Sequence, residues 1–271
     1  MTVIGIVPAR GGSRRIEGKN ATQCAGLPLM AWTCYAALHA ARIDRVIVST
    51  DDESIEAIAR RCGGRVEVVP DPIIPAPDTS RLDDVIAHVL ATYGGEWTRA
   101  VLLQPTSPLR TAKHIDEAMA LLLGDPGLDT VVGVYRDPGS EFVWAPARSG
   151  RTIVPLFAAR PRTQDITNLR ENGSIYAFTR KSWESHRVIP GYAMDRCVEC
   201  GEWCDNDRPC GKPNRLGGTC APLIMSGSES VDVDDYDSLR VAEYWLQAQL
   251  FRRNDEFRRY LDLWCGEKKE G

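Results

Sequence analysis

The residues best equipped for chemistry lie near the start of the chain, in Arg10-Gly11-Gly12-Ser13-Arg14-Arg15 and, four positions on, Lys19-Asn20. An apolar strand expected over Val3 to Val7 runs through Pro8 and Ala9 directly into this loop. Gly11 and Gly12 can adopt positive φ and bring backbone N–H groups up to an anion, while Arg10, Arg14, Arg15 and Lys19 add charged donors. The ligand this implies is polyanionic. Neither G-x-x-x-x-G-K-[ST] nor G-x-G-x-x-G occurs, which sets aside two common phosphate-binding loops. The plain alternative is a solvated basic turn, but four cations crowd one loop of a chain whose net charge is −4.

Polar residues recur at the ends of later apolar runs. Val46-Ile47-Val48-Ser49-Thr50-Asp51-Asp52 closes a strand with hydroxyl and carboxyl groups, and Thr50 or Asp51 would serve equally as a helix N-cap. The same choice applies to Asp78 and Thr79 in Pro77-Asp78-Thr79-Ser80-Arg81. In Leu102-Leu103-Gln104-Pro105-Thr106-Ser107-Pro108-Leu109-Arg110 two prolines stiffen a turn, and Gln104, Thr106, Ser107 and Arg110 offer polar contacts beside it. Leu169-Arg170-Glu171-Asn172-Gly173-Ser174-Ile175-Tyr176 carries an arginine able to fork onto a carboxylate and an amide suited to hydroxyl groups; Arg162, Gln164 and Asp165 lie just upstream. On an extended Ser230-Val231-Asp232-Val233-Asp234-Asp235, alternation puts Asp232 and Asp234 on one face, where two carboxylates can hold Mg²⁺ (or Mn²⁺) against a triphosphate. An acidic helix cap is the alternative there, and it suits Asp235 and Asp237 better.

Taken in order, these segments resemble the motifs of the acylneuraminate cytidylyltransferase family (CMP-N-acetylneuraminic acid synthetase-like): P-A-R-x-G-S followed by K-N, S-D-T-x-S, L-L-Q-P-T-S-P-L-R, R-x-N-G-x-I-Y with an upstream R-Q-D, and S-I-D-I-D. The resemblance implies that CTP and an acidic acceptor sugar are the partners. Ala9, Arg10, Gly11, Gly12, Ser13, Arg14, Lys19 and Asn20, with Asp78, Thr79 and Ser80, would bind the nucleotide. Gln104, Thr106, Ser107, Arg110, Arg170, Asn172 and Tyr176 would face the acceptor. Arg10, Lys19, Asp232 and Asp234 would be catalytic, the acceptor oxygen attacking the α-phosphorus in line as pyrophosphate leaves, with metal-assisted deprotonation of the acceptor hydroxyl and no covalent enzyme intermediate. A sialic, legionaminic or pseudaminic acid type of acceptor and a homodimer are further implications. Two alternatives stay open: transfer to another acid such as a phosphonate, and a catalytically idle scaffold with a zinc-binding interaction loop. The chain departs from the family's S-K-G-x-P-G-K-N loop at Arg14, Arg15 and Glu17, and Arg81 stands where a small residue is common.

The elements that must position these residues are short β-rich runs alternating with helical patterns. Strands are expected at Val3 to Val7, Arg45 to Ser49, Val66 to Val69, Ala100 to Leu103, Thr130 to Tyr135, Ser174 to Phe178 and Pro222 to Met225. Helices fit at Pro28 to Ala41, Glu53 to Cys62, Arg81 to Tyr93 and Lys113 to Leu123, and one after Asp232 passes Ala242, Trp245, Leu246 and Leu250 and continues to Phe257, Tyr260 and Leu261, ending in a solvated charged tail. This is an α/β pattern with a doubly wound, mostly parallel sheet, in which ligands bind beyond the carboxyl ends of the strands; the resemblance implies that it is a Rossmann-like nucleotidyltransferase fold. With 271 residues, 43% of them hydrophobic, one domain over residues 1–271 can bury its own core. The acidic net charge argues against nucleic acid and membrane surfaces as partners, and no run reaches the roughly 18 apolar residues of a membrane span. With no leader pattern at the N-terminus, a soluble cytoplasmic protein is expected.

Of nine cysteines, Cys24, Cys34, Cys62 and Cys265 stand singly and read as reduced thiols. The others, Cys197, Cys200, Cys204, Cys210 and Cys220, crowd a stretch rich in Gly, Asp and Pro over residues 191–220, which reads as an insertion. Four of these five suit a structural Zn²⁺; disulfides and free thiols are the alternatives.

Overall fold

A computed structural model describes residues 2–71, 82–137, 144–146, 153–155, 169–185, 218–251 and 255–266. Strand β1 (Val3–Pro8) leads through the glycine-rich loop to a 3-10 turn over Lys19–Ala21, the two-residue strands β2 (Gln23–Cys24) and β3 (Leu27–Pro28), and helix α1 (Leu29–His39). There follow β4 (Arg45–Thr50), α2 (Glu53–Arg61), β5 (Val66–Pro70), α3 (Leu82–Thr92), β6 (Arg99–Leu103), α4 (Ala112–Gly124) and β7 (Thr130–Arg136). Strands β8 (Trp144–Pro146) and β9 (Ile153–Pro155) pair with each other alone; then come β10 (Leu169–Thr179), α5 (Arg180–Ser185), β11 (Cys220–Ile224), α6 (Tyr236–Phe251) and α7 (Asp255–Gly266).

Among the described residues the main sheet has the order β11-β7-β10-β6-β1-β4-β5. Strands β5, β4, β1 and β6 run parallel because a crossover helix separates each from the next in the chain. Strand β10 is antiparallel to both its neighbours and β11 is parallel to β7, so the sheet is mostly parallel with one reversed member. The chain steps from β1 to β4 on one side and returns to β6 on the other, which opens a crevice between the ends of β1 and β6. Reversal of β10 brings its beginning, Leu169 to Gly173, to that same edge. This strand is longer than the expected Ser174 to Phe178, and its register shifts between Glu171 and Tyr176. Gly173 sits in the shift at φ 72°, a conformation that a side chain would oppose.

Alternation along β1 buries Val3 and Val7 on one face and Ile4 and Ile6 on the other, the signature of a sheet covered on both sides. Helix α1 is buried all round from Leu29 to Leu38, so it needs a second layer outside it. That layer is α7. Trp32 meets Phe257 edge-on at 5.7 Å and Tyr35 stacks on Tyr260 at 5.5 Å. The expected single C-terminal helix is therefore two helices, and the second, with Phe257, Tyr260 and Trp264 buried, is part of the core. No described helix is long and apolar enough to cross a membrane.

Candidate functional site

The basic loop is anchored rather than free. Ile16 is buried in the main core, and Asn20, also buried, donates from Nδ2 to the Arg10 carbonyl at 3.0 Å. At the other end of the loop the Gly11 N–H donates to Asp51 Oδ1 at 2.7 Å. A Cβ on Gly11 would meet Asp52 Oδ2 at 2.5 Å, and Asp52 cannot readily move away because it caps α2 by accepting from Ser54 N at 2.8 Å. Both Gly11 and Gly12 were expected to take positive φ and offer N–H groups to an anion. The structure corrects this: the loop's positive-φ residue is Gly18, Gly11 is glycine because Asp52 packs against it, and its N–H is committed to Asp51. The helix cap is Asp52, not Thr50 or Asp51.

Lys19 leaves the loop and reaches across the crevice. Its Nζ donates to the Val233 carbonyl at 2.9 Å and lies 3.4 Å from Asp234 Oδ1, with the side chain only 15% exposed. Val233 is itself buried, and its N–H donates to the Thr106 carbonyl at 2.8 Å. Asp232 and Asp234, on either side of this inward valine, both remain open to solvent. Although the residue as a whole is exposed, the Asp232 carboxyl turns toward Thr106 and is partly desolvated there, which raises its pKa; the Thr106 hydrogen bond and the charge of Lys19 oppose the rise, and Asp234 adds to it. Arg15, whose role the sequence left open, pairs with Asp234 at 2.9 Å. Asp235 is a local turn residue, accepting from Ser238 N at 2.8 Å.

Two cavities meet at this junction. The first, about 290 Å³, is lined by Ala9, Arg10, Ser13, Lys19 and Asn20 on one side and by Asp71, Leu82 and Val85 on another, and is closed by Gln104 to Thr106. The second, about 440 Å³, is bounded by Tyr135, Arg170 to Gly173, Tyr176, Ser230 and Asp232. Gln104 belongs to both. A polyanion entering the first cavity would meet Arg10, Lys19 and Ser13, and across Gln104 lies the second cavity, which Asp232 lines.

Several residues singled out for the acceptor turn out to hold the framework. Arg110 is completely buried: its guanidinium donates to Ser174 O at 2.7 Å, to Gln104 O at 3.2 Å and to Thr33 Oγ1 at 2.6 Å. With no carboxylate in contact among the described residues, burial pulls its pKa down to about 9. Ser107, equally buried, faces neither cavity. Both acceptor assignments are thereby overturned, because the Pro105–Pro108 turn points these side chains into the core. Arg170 reaches the second cavity but is held by Asp137 at 3.1 Å. Asn172 donates from Nδ2 to Ser230 Oγ at 3.0 Å and accepts from Ser174 N at 3.0 Å, and Tyr176 donates to Glu171. Gly12 and Arg14 line neither cavity.

Two charged residues of the site escaped the reading of the sequence. Asp71 follows β5 as Asp51 follows β4, a polar residue at the carboxyl end of a parallel strand, and that position was the available signal. Glu171 sits inside the R-x-N-G motif at a position the pattern leaves unspecified. Asp78, Thr79, Ser80, Arg81, Arg162, Gln164, Asp165 and the cysteines 197, 200, 204 and 210 lie outside the described residues. Cys220 opens β11, where burial raises its thiol pKa.

A family model described as cytidylyltransferase matches residues 4–142. The chain is 31% identical over 212 residues to N-acylneuraminate cytidylyltransferase of Oncorhynchus mykiss, covering 73% of this chain and 48% of that protein. It is 32% identical over 201 residues to the protein of the same name from Escherichia coli O18:K1:H7 (strain RS218 / NMEC), covering 72% and 47%. The chain spans about half the length of these curated relatives. Among solved structures, CMP:2-keto-3-deoxy-manno-octonic acid synthetase complexed with CTP superposes with a TM-score of 0.64 at 18% identity, covering 92% of this chain and all of that one. That likeness is one of fold.

Proposed function

The chain belongs to the cytidylyltransferase family, and on that premise we propose that it transfers CMP from CTP to an acidic sugar of the sialic, legionaminic or pseudaminic acid type, releasing pyrophosphate. The observation that carries this reading is the pair of cavities sharing Gln104, one lined by cations that include Lys19 and one by hydroxyl- and carboxylate-binding groups beside Asp232. The names of the relatives place N-acylneuraminates among the acceptors to try first.

In this reading the triphosphate lies along Arg10, Ser13 and Lys19, whose charges and hydroxyl donor stabilise the negative charge that builds on phosphate oxygens. The acceptor lies against Asn172, Tyr176 and Gln104, and its hydroxyl oxygen attacks the α-phosphorus as the bond to the β-phosphate oxygen breaks. Asp232 and Asp234 fit a hard cation: they are two solvent-facing carboxylates flanking one buried residue beside the phosphate-binding lysine. Mg²⁺ (or Mn²⁺) bound there would supply charge neutralisation at the triphosphate. Lys19 and Arg15 hold Asp234 meanwhile, so the residues of the crevice are paired before any ligand enters.

The test is pyrophosphate release from each of the four ribonucleoside triphosphates against a panel of acidic nine-carbon sugars, 3-deoxy-octulosonic acid and phosphonates. Turnover of CTP with a nine-carbon acid is expected; turnover with phosphonates alone would move the acceptor class, and none with any acid would favour an idle scaffold. Asp232→Asn and Asp234→Asn should each raise the Mg²⁺ concentration needed for half-maximal rate, and sedimentation should find a homodimer. Zinc remains our proposal for residues 191–220, with one ion per chain, held by four of Cys197, Cys200, Cys204, Cys210 and Cys220, expected on metal analysis.

A further inference from the structure

The order of strands measures the crevice. From one edge inward, the carboxyl ends present Asp71 after β5, Asp51 after β4, Ala9 and Arg10 after β1, Gln104 after β6, and then the beginning of β10 with Arg170 to Gly173. Neighbouring strands stand about 4.8 Å apart, so Asp71 lies three steps, on the order of 14 Å, from the Gln104 boundary. Should the reacting phosphorus sit at that boundary, next to the acceptor's cavity, the rest of the nucleotide has to extend toward β5.

The lining of the first cavity changes character there. Leu82 and Val85, in the opening turns of α3, provide an apolar wall, and Asp71 is the acidic side chain among the described residues that line it. Asp71 is held in place from two directions. The hydroxyl of fully buried Ser49 donates to its Oδ1 at 2.6 Å, and its own N–H donates to the Thr50 carbonyl at 2.9 Å. Among the described residues no donor meets Oδ2. One hydroxyl donor would be satisfied equally by an amide oxygen, without the cost of desolvating a carboxylate beside Asp51, so the charge calls for a further partner. Arg10 and His88 lie near enough to stabilise it, but neither donates a hydrogen bond to it among the described residues, and Arg10 also faces the polyanion in the same cavity.

We propose that Asp71 reads the nucleobase, its Oδ2 accepting a hydrogen bond from the exocyclic 4-amino group of cytosine and turning away uracil, whose O4 would set two acceptors against each other. The inference rests on the nucleotide-transfer reading above and adds to it the residue that selects the base. It predicts that selection survives changes elsewhere in the site, because Asp71 is fixed by β4 and not by the basic loop.

The test compares CTP, UTP and the triphosphate of the 4-deamino analogue, pyrimidin-2-one riboside, on the full chain. With an acid found by the panel, kcat/KM for UTP and for the analogue should fall about 10- to 100-fold or more below that for CTP. In Asp71→Asn, whose amide donates as well as accepts, the CTP-to-UTP ratio should shrink about tenfold while the KM for the acid stays constant. Loss of charge near the triphosphate would change both nucleotides alike and leave the ratio untouched, which separates base reading from a structural or electrostatic role. An analogue used as well as CTP, or an unchanged ratio in folded Asp71→Asn, overturns the proposal. If that variant does not fold, the analogue comparison with the unaltered chain decides. If no triphosphate turns over, the transfer reading fails by itself, and calorimetric binding of CTP against UTP still decides the role of Asp71.

Discussion

Lys19 and Arg110 are both cations in recognisable motifs, and their surroundings give them opposite tasks. Lys19 sits at the mouth of a cavity with one backbone carbonyl and one carboxylate for company, partners that a triphosphate can replace. Lys19→Ala should lower kcat/KM by about 100-fold or more while the melting temperature changes little, since the fold does not depend on it. Arg15→Ala, removing a mostly exposed partner of the same carboxylate, should cost only a few-fold, as exposed pairs do. A Lys19 variant with near-normal turnover would remove it from the chemistry. Arg110 donates to buried acceptors on three segments, the carbonyls of Gln104 and Ser174 and the hydroxyl of Thr33. Arg110→Ala should lower the unfolding free energy by about 3 kcal/mol or more in urea titration. Unaltered stability together with weakened acceptor binding would return this arginine to the site.

At the scale of elements, the beginning of α4 couples the motif turn to the C-terminal helix. Glu256 of α7 accepts from Ala112 N at 2.6 Å, and Thr111 and His114 form a reciprocal capping box in which His114 Nδ1 accepts from Thr111 N. An accepting Nδ1 requires the neutral ring, and burial lowers the His114 pKa, with Arg110 also acting in that direction and Glu229, Glu117 and Glu256 opposing it. The unfolded chain then binds the proton more readily. The stabilisation is complete above the ordinary histidine value of about 6.5 and is lost as pH falls from there through the lowered value in the folded protein. Melting temperatures should therefore drop between pH 7.5 and 5.5, and His114→Gln, which can still complete the box, should flatten that decline. An equal decline in both proteins would assign it elsewhere. The same layer predicts that Phe257→Ala, which opens the contact with Trp32, costs about 3–5 kcal/mol, measured by denaturant unfolding; a cost below about 1 kcal/mol would make α7 an appendage.

The whole molecule sets two cavities side by side along one edge of one sheet. Strands β5, β4 and β1 carry one cavity and β10 and β7 the other, with β6 between them, so Gln104 at its end is the residue common to both. Gln104→Ala should raise the KM for nucleotide and for acid together, each by about tenfold, as the loss of one hydrogen-bonding group in each subsite requires. Glu171→Gln, confined to the second cavity, should change the KM for the acid alone. Steady-state kinetics with each substrate varied in turn checks both; nucleotide KM sensitive to Glu171 would contradict the division.

What the chain declares locally came through in its motifs and elements. Alternating apolar residues mark the strands, the Pro105–Pro108 turn marks where β6 stops, and inward Val233 between Asp232 and Asp234 follows from a period of two. These depend on neighbours within a few positions, so composition and spacing are enough to read them. The tertiary structure decided what depends on distant parts of the chain: that Arg110 turns inward to Thr33 and Ser174, that Gly11 makes room for Asp52, that α7 covers α1, and that Asp71 joins the basic loop in one cavity. An arginine's charge is visible in a sequence, but whether it meets water, a ligand or two carbonyls and a hydroxyl is set by which surfaces the sheet brings together.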